Sequence, residues 1–523
     1  MKKLKFAVLL ATLICGGGKC YAHDIEVANA DGVTIYYNYT NDQTELEVTY
    51  PGSYSSNYAG NVVIPESVTY EGDTYPVTSI GNSAFGYCSR LTKVTIPNSV
   101  TSIGILAFNH CSSLTEVTIP GSVTSIDDFA FNNCTALTSV TIGSGLASIG
   151  DALFEDCPNL EKIVVESGNP IYDSREDCNA VIQTAINTLV VGCKNTHFPN
   201  SVTAIGDQAF FGCSGLTEIT IPSNITSLGY YNPFSDCVNL EKIVVESGHP
   251  VFDSRDNCNA IIKTNENSLV SGCKKTKIPN SVTAIDDYAF SHCSSLTELT
   301  IPNSVTYIGD GAFNYCSGLT ELIIPYGVTS IGYLTFQSCD GLTKMIVPNS
   351  VTSIGHACFN YCQNLTEVVI GNSVTSIISW AFRNCNKLST IYSLNTTPPS
   401  VGSENFTDKQ YETAIVYVPK EALSAYQSAD KWEEFKNLQA IGDDDDIDAI
   451  AKVSVAEQIY SANGQVTVTG LTDGTTVTVY DLSGQQVGQA TSKGGQTTVN
   501  TRLTSGSTAI VKMGEWSVKT VMK

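Results

Sequence analysis

Positive charge is scarce in this 523-residue chain, where 28 Lys and Arg stand against 51 Asp and Glu for a formal net charge of −23. Binding to nucleic acid needs clustered Lys and Arg to neutralise phosphates, so that class is excluded, and anionic membrane surfaces are disfavoured with it. Long apolar runs are missing too. Beyond the first 22 residues no stretch approaches the ~18 uninterrupted apolar residues of a transmembrane helix. Histidine is sparse: His23, His110, His197, His249, His292 and His356 form neither a His-Glu-x-x-His nor a His-Cys metal spacing. His110 and His292 precede cysteines at equivalent repeat positions and read as polar turn residues rather than a zinc site. No Gly-x-Ser-x-Gly elbow or phosphate loop occurs, and serine recurs in Pro-x-Ser-Val turns as a turn former. An enzyme, a cofactor and a bound metal are all unexpected.

Cysteine, by contrast, is plentiful and evenly spaced. Cys88, Cys111, Cys134 and Cys157, then Cys213 and Cys237, then Cys293, Cys316, Cys339, Cys362 and Cys385 recur mostly every 23 residues, each with a phenylalanine three positions earlier, from Phe85 to Phe382. A unit of this size cannot bury its own apolar face, so each copy must stack on the next. The pattern predicts a repeat solenoid.

In the unit Leu114 to Leu137, Val117 and Ile119 alternate with outward residues as a half-buried strand requires, and Pro120 ends that strand. A second short strand is expected over Val123 to Ile126. Ala130, Phe131, Cys134 and Leu137 then fall at i, i+1, i+4 and i+7, which predicts a helical face of about two turns. Asp127 and Asp128 are placed to cap it, as are Gly206 and Asp207 in another copy. Stacking would turn equal positions into columns of Phe, Cys, Ile and Leu, with the column cysteines as buried thiols.

The pattern Leu-Thr-x-Val-Thr-Ile-Pro-x-Ser-Val-Thr-Ser-Ile-Gly-x-x-Ala-Phe-x-x-Cys resembles the leucine-rich repeats of the BspA-like surface-protein family, over roughly Thr78 to Ser393. The resemblance implies a leucine-rich-repeat superhelix, β-rich with short helical turns, in a cell-surface or secreted binding protein.

Two steps, Cys157 to Cys213 and Cys237 to Cys293, are 56 residues long. Their insertions are duplicates: Leu160-Glu-Lys-Ile-Val-Val-Glu-Ser-Gly returns 80 residues later at Leu240. Each holds an expected hairpin, residues 180–183 with 188–191 and residues 260–263 with 268–271. Symmetric pairing about their turns sets Ile182 against Leu189, Ile262 against Leu269, Cys178 against Cys193 and Cys258 against Cys273. Two disulfides, Cys178 to Cys193 and Cys258 to Cys273, are therefore expected in an exported protein. Cys358 stands off the column without an assigned role.

Export is indicated at the N-terminus, where Lys2, Lys3 and Lys5 precede an apolar run from Phe6 to Cys15 and a small residue at Ala22. Residues 1–22 read as a signal peptide cleaved after Ala22. Ile14 and Lys19 disfavour lipoprotein processing at Cys15 or Cys20. Residues 24–75 lack the period and read as a β-rich N-terminal cap; the repeats occupy 76–395, with the longer coils near 158–200 and 238–280. Residues 396–441 read as a C-terminal cap, with a strand at Val416 to Pro419 and a helix over Glu421 to Asn437 carrying Trp432 and Phe435. An acidic linker spans 442–449, its Asp443-Asp-Asp-Asp run reading as solvated rather than calcium-binding. Residues 450–523 carry strands separated by turn signals about ten residues apart, as a small all-β sandwich requires.

In that last segment Ile459-Tyr-Ser-Ala-Asn-Gly-Gln, Val477-Thr-Val-Tyr-Asp-Leu-Ser-Gly-Gln-Gln-Val and the terminal Ser517-Val-Lys-Thr-Val-Met-Lys resemble the sorting domain of the Bacteroidota type IX secretion system, although Gly506-Ser-Thr-Ala-Ile-Val lacks that family's tyrosine. The resemblance implies passage across an outer membrane, with removal of the domain and either surface attachment or release.

Outward positions of the first strand give a candidate binding face: Lys93, Glu116, Lys162, Glu218, Lys242, Glu298, Glu321, Lys344 and Glu367, beside Thr95, Thr118, Thr141, Thr220 and Thr300. The same charges could simply solubilise a sheet. Long repetitive faces suit extended partners, so the expected function is non-enzymatic: an adhesin at the outer cell surface or outside the cell, recognising extracellular-matrix protein or another cell's surface. A glycan-binding accessory protein using Tyr230, Tyr231, Tyr307 and Tyr333 is the alternative, and a structural surface component the third reading.

Overall fold

A computed structural model of the chain describes residues 23–52, 58–442 and 459–522, apart from 463, 470, 472, 473, 494, 495, 514 and 515. The expected signal peptide with Ala22, and the acidic run from Asp443, lie outside the described residues. The fold is a β-solenoid with few helices, and it divides into two compact units, residues 1–187 with 191–199 and residues 188–190 with 200–523.

In the first unit each coil contributes two short parallel strands. Glu116–Ile119, Ser139–Ile142 and Lys162–Val165 pair in register, Val117 against Val140 against Ile163. This is the alternation of the sequence made physical: Val117 and Ile119 point into the core while Glu116 and Thr118 face out. The second ladder joins Asp73–Ile80, Ser102–Ile103, Ser125–Ile126 and Ser148–Ile149, all parallel. Ahead of it an antiparallel meander, Ile25–Ala28, Thr34–Thr40 and Glu45–Thr49, pairs onto Asp73–Ile80.

The second unit repeats the scheme. Lys344–Val347, Glu367–Ile370, Thr390–Ser393, Ile415–Val418 and Asn437–Ala440 form one parallel ladder, and Ser330–Ile331, Ser353–Ile354, Ser376–Ile377 and Ser400–Val401 the other. After Ser393 the coil pattern gives way to an α-helix, Asp408–Thr413, held by a capping box between Thr407 and Gln410. The helix expected over 421–437 is much shorter: a 3₁₀ turn at Lys420–Ala422 leads into Leu423–Tyr426, and Lys431 adopts a left-handed φ of 67° that ends helical continuation. Trp432 and Phe435 are nonetheless buried, the Trp432 indole donating to the Pro399 carbonyl at 2.8 Å. Beyond residue 458 two antiparallel sheets, one of three strands and one of four, share a core that includes Val466, Val468, Val477, Val479 and Val511.

The expected helical face does not form. Phe131 and its neighbours sit in successive tight turns, with Phe129 and Asn133 in the left-handed region at φ 58° and 57°. Their N–H groups point along the stack: those of Phe129, Phe131 and Asn133 donate to the carbonyls of Asp151, Leu153 and Glu155 in the next coil, so no i to i−4 ladder is available. Left-handed geometry costs a non-glycine residue about 1–2 kcal/mol, here sustained by those bonds to the neighbouring coil. Asp128 and Asp207 likewise act between coils, their Oδ1 atoms accepting from the N–H groups of Asp151 and Tyr231 at 2.8 and 3.0 Å.

These turns deliver the core columns. In the first unit Phe85, Phe108 and Phe131 stack with centroids 4.9 and 5.0 Å apart. In the second unit Phe290, Phe313, Phe336, Phe359, Phe382 and Phe406 continue at 5.3–5.9 Å, within 11° of parallel. Beside each ring runs a thiol. Cys111, Cys134 and Cys157 donate to the carbonyls of Phe85, Phe108 and Phe131 at 3.1–3.2 Å, and Cys316, Cys339, Cys362 and Cys385 to those of Phe290, Phe313, Phe336 and Phe359 at 3.0–3.1 Å. Carbonyls such as those of Phe85, Phe108 and Phe313 already accept the N–H of the cysteine three residues on, so the thiol of the next coil adds a second bond while its sulfur fills apolar space.

The four hairpin cysteines are free thiols, not the two expected disulfides. In the second insertion Ile262 does oppose Leu269, but a register shift between Ile261 and Ile262 then sets Ile261 against Ser271 and Ala260 against Gly272. That extra residue carries Cys273 past Cys258. Its thiol donates instead to the Asn259 carbonyl at 3.3 Å, while Cys258 turns toward the Ala260 carbonyl at 3.6 Å. Cys193 and Cys178 make the same contacts, with Asn179 at 3.2 Å and Ala180 at 3.7 Å.

Candidate functional site

Parallel pairing in register fixes where the outward side chains of the first strand stand. Glu116, Ser139 and Lys162 occupy one row, Glu218 and Lys242 another, and Lys344, Glu367 and Thr390 a third. Much of the charge in these rows is internally compensated. Lys93 pairs with Glu116 at 3.3 Å, Lys242 with Glu218 at 3.0 Å and Lys344 with Glu367 at 2.8 Å. Such exposed pairs are worth about 0–1 kcal/mol, so they set register and solubility more than they attract a charged partner. Lys162, Glu298 and Glu321 stand exposed, the last two outside the named strands. The threonine row is exposed at Thr95, Thr118, Thr220 and Thr300 and half-buried at Thr141.

The histidines of the repeat turns belong to a different surface. His110 stacks on Tyr87 at 4.6 Å and His292 on Tyr315 at 4.4 Å. Burial pulls the His292 imidazole down to about 4, so it is neutral at physiological pH.

A second site gathers where the duplicated insertion of the second unit meets the turn after Ser227–Leu228. Tyr230 and Tyr231 lie edge-to-face at 5.2 Å, and both pack on Tyr288, at 5.4 and 4.7 Å. Asp287 holds this group in place: its carboxylate accepts from the Tyr230 hydroxyl at 3.2 Å, the Tyr307 hydroxyl at 3.4 Å and the Asp310 N–H at 2.8 Å. Partial desolvation, and then the Asp287 charge, push the Tyr230 phenol up to about 12, so it remains a donor. Facing the rings, Lys263 bridges Asp286 at 2.9 Å and Glu266 at 3.5 Å. Tyr230, Tyr307, Asp286, Asp287, Lys263 and Glu266 border a cleft of about 630 Å³, with Tyr231 and Tyr288 packed behind Tyr230. Tyr230 and Tyr307 remain 59% and 52% exposed, so their ring faces are open to a ligand.

Of the four tyrosines singled out in the sequence, Tyr230, Tyr231 and Tyr307 converge on this group. Tyr333 is exposed one coil further on, its N–H donating to Asp310 Oδ1 at 2.7 Å. Sequence reading missed Lys263, Asp286, Asp287 and Tyr288. Aligning the two insertions residue by residue is the signal that finds Lys263, Asp286 and Tyr288, whereas Asp287 matches Asp207 in the other copy and is not singled out that way. Among the described residues, no group of three or more metal-ligating side chains converges, and no helix is long and apolar enough to cross a membrane.

Stacked parallel strands, columns of buried Leu, Ile, Phe and Cys, and an outward strand face define a leucine-rich-repeat solenoid. More particularly, the chain belongs to the BspA-type leucine-rich repeat family, whose model matches residues 54–175, 190–261 and 262–389. It is a family usually made of non-enzymatic binding proteins, and no catalytic family is indicated. Among solved structures, a leucine-rich cell surface protein from Faecalibacterium prausnitzii is 28% identical, covering 71% of this chain and 95% of its own at a TM-score of 0.38. A leucine-rich repeat protein from Eubacterium ventriosum is 26% identical, with 69% and 83% covered and a TM-score of 0.38. The pneumococcal vaccine antigen PcpA is 19% identical, with 80% and 97% covered and the same TM-score. No curated protein matches the chain.

Proposed function

We propose that the protein is an exported, non-enzymatic recognition protein, an adhesin that engages extracellular-matrix protein or another cell's surface through the strand face. The observation that carries this reading is the in-register display itself: each coil repeats the same outward positions at strand spacing, about 4.8 Å, as a lengthwise contact with an extended macromolecule requires. Membership of the BspA-type leucine-rich repeat family supports it. Export follows from residues 1–22 and the resemblance of residues 450–523 to a type IX sorting domain, which implies surface attachment or release.

Solid-phase binding of the full secreted chain to purified matrix proteins tests the reading. Charge reversal at Lys162, Glu298 and Glu321 together should weaken the tightest interaction at least tenfold. Unchanged binding to every matrix protein would remove the strand face from consideration. Intact mass of the protein recovered from cells reports cleavage at Ala22 and loss of the C-terminal domain in one measurement.

A further inference from the structure

The two insertions are copies of one framework, and some of their differences line the cleft. With the copies aligned at their 80-residue offset, Lys263 and Glu266 stand where the other copy has Gln183 and Ile186, and Asp286, Tyr288 and Tyr307 where it has Gly206, Gln208 and Ser227. The turn from Gly229 to Phe234 is also one residue longer than that from Gly150 to Phe154, and the extra length is spent on Tyr230-Tyr231 in place of Asp151. Meanwhile the strand Lys-Ile-Val-Val, the Arg-Asp pair and the hairpin cysteines recur unchanged: Arg175 Nε meets Asp173 Oδ1 at 2.7 Å, and Arg255 meets Asp253 at the same distance. On that shared framework the cleft lining carries Lys263, Glu266, Asp286 and Tyr307 where the other copy has Gln, Ile, Gly and Ser, so the framework itself does not require these polar and aromatic groups.

We infer that this cleft binds a neutral saccharide, with pyranose C–H faces against the Tyr230 and Tyr307 rings and hydroxyls bonded to Lys263, Asp286 and Glu266. The chemistry decides between candidate ligands. A cation would need open carboxylates or a cage of ring faces around a void. Here Asp287 already accepts two phenols and a backbone N–H, Asp286 and Glu266 share Lys263, and the three clustered rings touch one another at 4.7–5.4 Å, leaving no void between them. An anion meets three carboxylates against one lysine. A polyol needs what is present: apolar ring faces flanked by fixed donors and acceptors whose charges are already paired. The cleft volume of about 630 Å³ lies within the range of small-molecule sites, so it would accommodate a short stretch of a glycan.

The inference rests on the cleft between the second insertion and its flanking coils, and not on the strand-face reading. Native affinity electrophoresis of the full chain in gels cast with mannan, xylan, arabinogalactan or mucin, and with polylysine as a cationic probe, tests it. At least one neutral polysaccharide should retard the protein. The triple change Lys263→Gln, Asp286→Gly and Tyr307→Ser installs residues the other copy already carries in the same framework, so folding is retained; it should weaken retardation at least tenfold. Lys162→Glu on the strand face should leave it unchanged. Mobility unaffected by every polysaccharide, retardation by polylysine alone, or retardation that survives the triple change would each overturn the assignment.

Discussion

Replacing Phe336 with alanine probes the central column where it is most ordered. The ring is fully buried and lies between Phe313 at 5.5 Å and Phe359 at 5.4 Å, tilted 2° and 7° from them. Truncating a buried Phe costs about 3–5 kcal/mol, and each lost ring contact adds about 0.5–1.5 kcal/mol. The site cannot collapse cheaply, because both neighbours are pinned by backbone bonds: the Phe313 N–H donates to Thr335 and the Phe359 N–H to Ala381. The expected loss thus lies at the top of that range or just above it, about 4–6 kcal/mol. Phe336→Leu retains most of the transfer term and loses only the ring contacts, for about 1–3 kcal/mol. Urea unfolding followed by circular dichroism, with hydrogen exchange to locate the change, measures both variants. Protection should fall on both sides of the substitution, around Phe313 and Phe359, since a coil has no core of its own. A loss below about 1 kcal/mol for the alanine variant, or a loss of protection confined to its own coil, would refute the shared column as the source of stability.

Other consequences are equally direct. Gly272→Ala would bring a Cβ to within 2.1 Å of the Phe290 ring, which must then leave its column; a melting temperature at wild-type level would contradict that packing. The buried thiols should resist iodoacetamide in the native protein and react only on unfolding, since burial pushes Cys237, Cys293 and Cys339 well above the ordinary thiol value; rapid native labelling, or the mass of a disulfide at Cys178–Cys193 or Cys258–Cys273, would count against the free-thiol arrangement. His292, held near 4 when folded and at its ordinary value of 6.5 when unfolded, takes up protons preferentially in the unfolded state between those values. Its stabilisation is full above about pH 6.5 and is lost as the pH falls toward 4, on the order of 2–3 kcal/mol. His292→Asn should flatten that part of the stability profile; an unaltered slope would locate the acid sensitivity elsewhere.

What the sequence made legible was whatever repeats. The 23-residue beat of Phe and Cys predicts stacked coils, and the alternation through Val117 and Ile119 predicts which strand residues turn inward. The helical face was misread because consecutive three-residue turns reproduce the i, i+4 spacing of Ala130, Phe131 and Cys134 without its hydrogen bonds. Nothing in the identities of Phe129 or Leu106 announces a left-handed backbone; the bonds to the next coil impose it. The disulfides failed for a similar reason, since a single-residue bulge beside Ile262 is invisible to a pairing drawn from turn centres. At the strand face the alternation shows which positions carry charge, but the pairing of those charges across coils depends on which sign follows which 23 or 24 residues later. The cleft was half legible: its tyrosines stood out as exposed aromatics, whereas Lys263 and Asp286 acquire meaning only opposite one another.

The joint between ordinary coils is the same each time: a ring on a ring, a thiol to the carbonyl behind, an N–H to the carbonyl ahead. Removing residues 317–339 would therefore bring Cys316 to Asp340 in the frame that every other junction uses, closing the array on itself with one coil fewer. Length in such a chain is a quantity that recombination can change in whole steps without designing a new interface, and the 80-residue duplication records a step of that kind. One inserted residue is not a step, and must be absorbed locally. The added residue between Gly229 and Phe234 was absorbed as Tyr230-Tyr231, so an error of register became the place where this lineage put its aromatic surface.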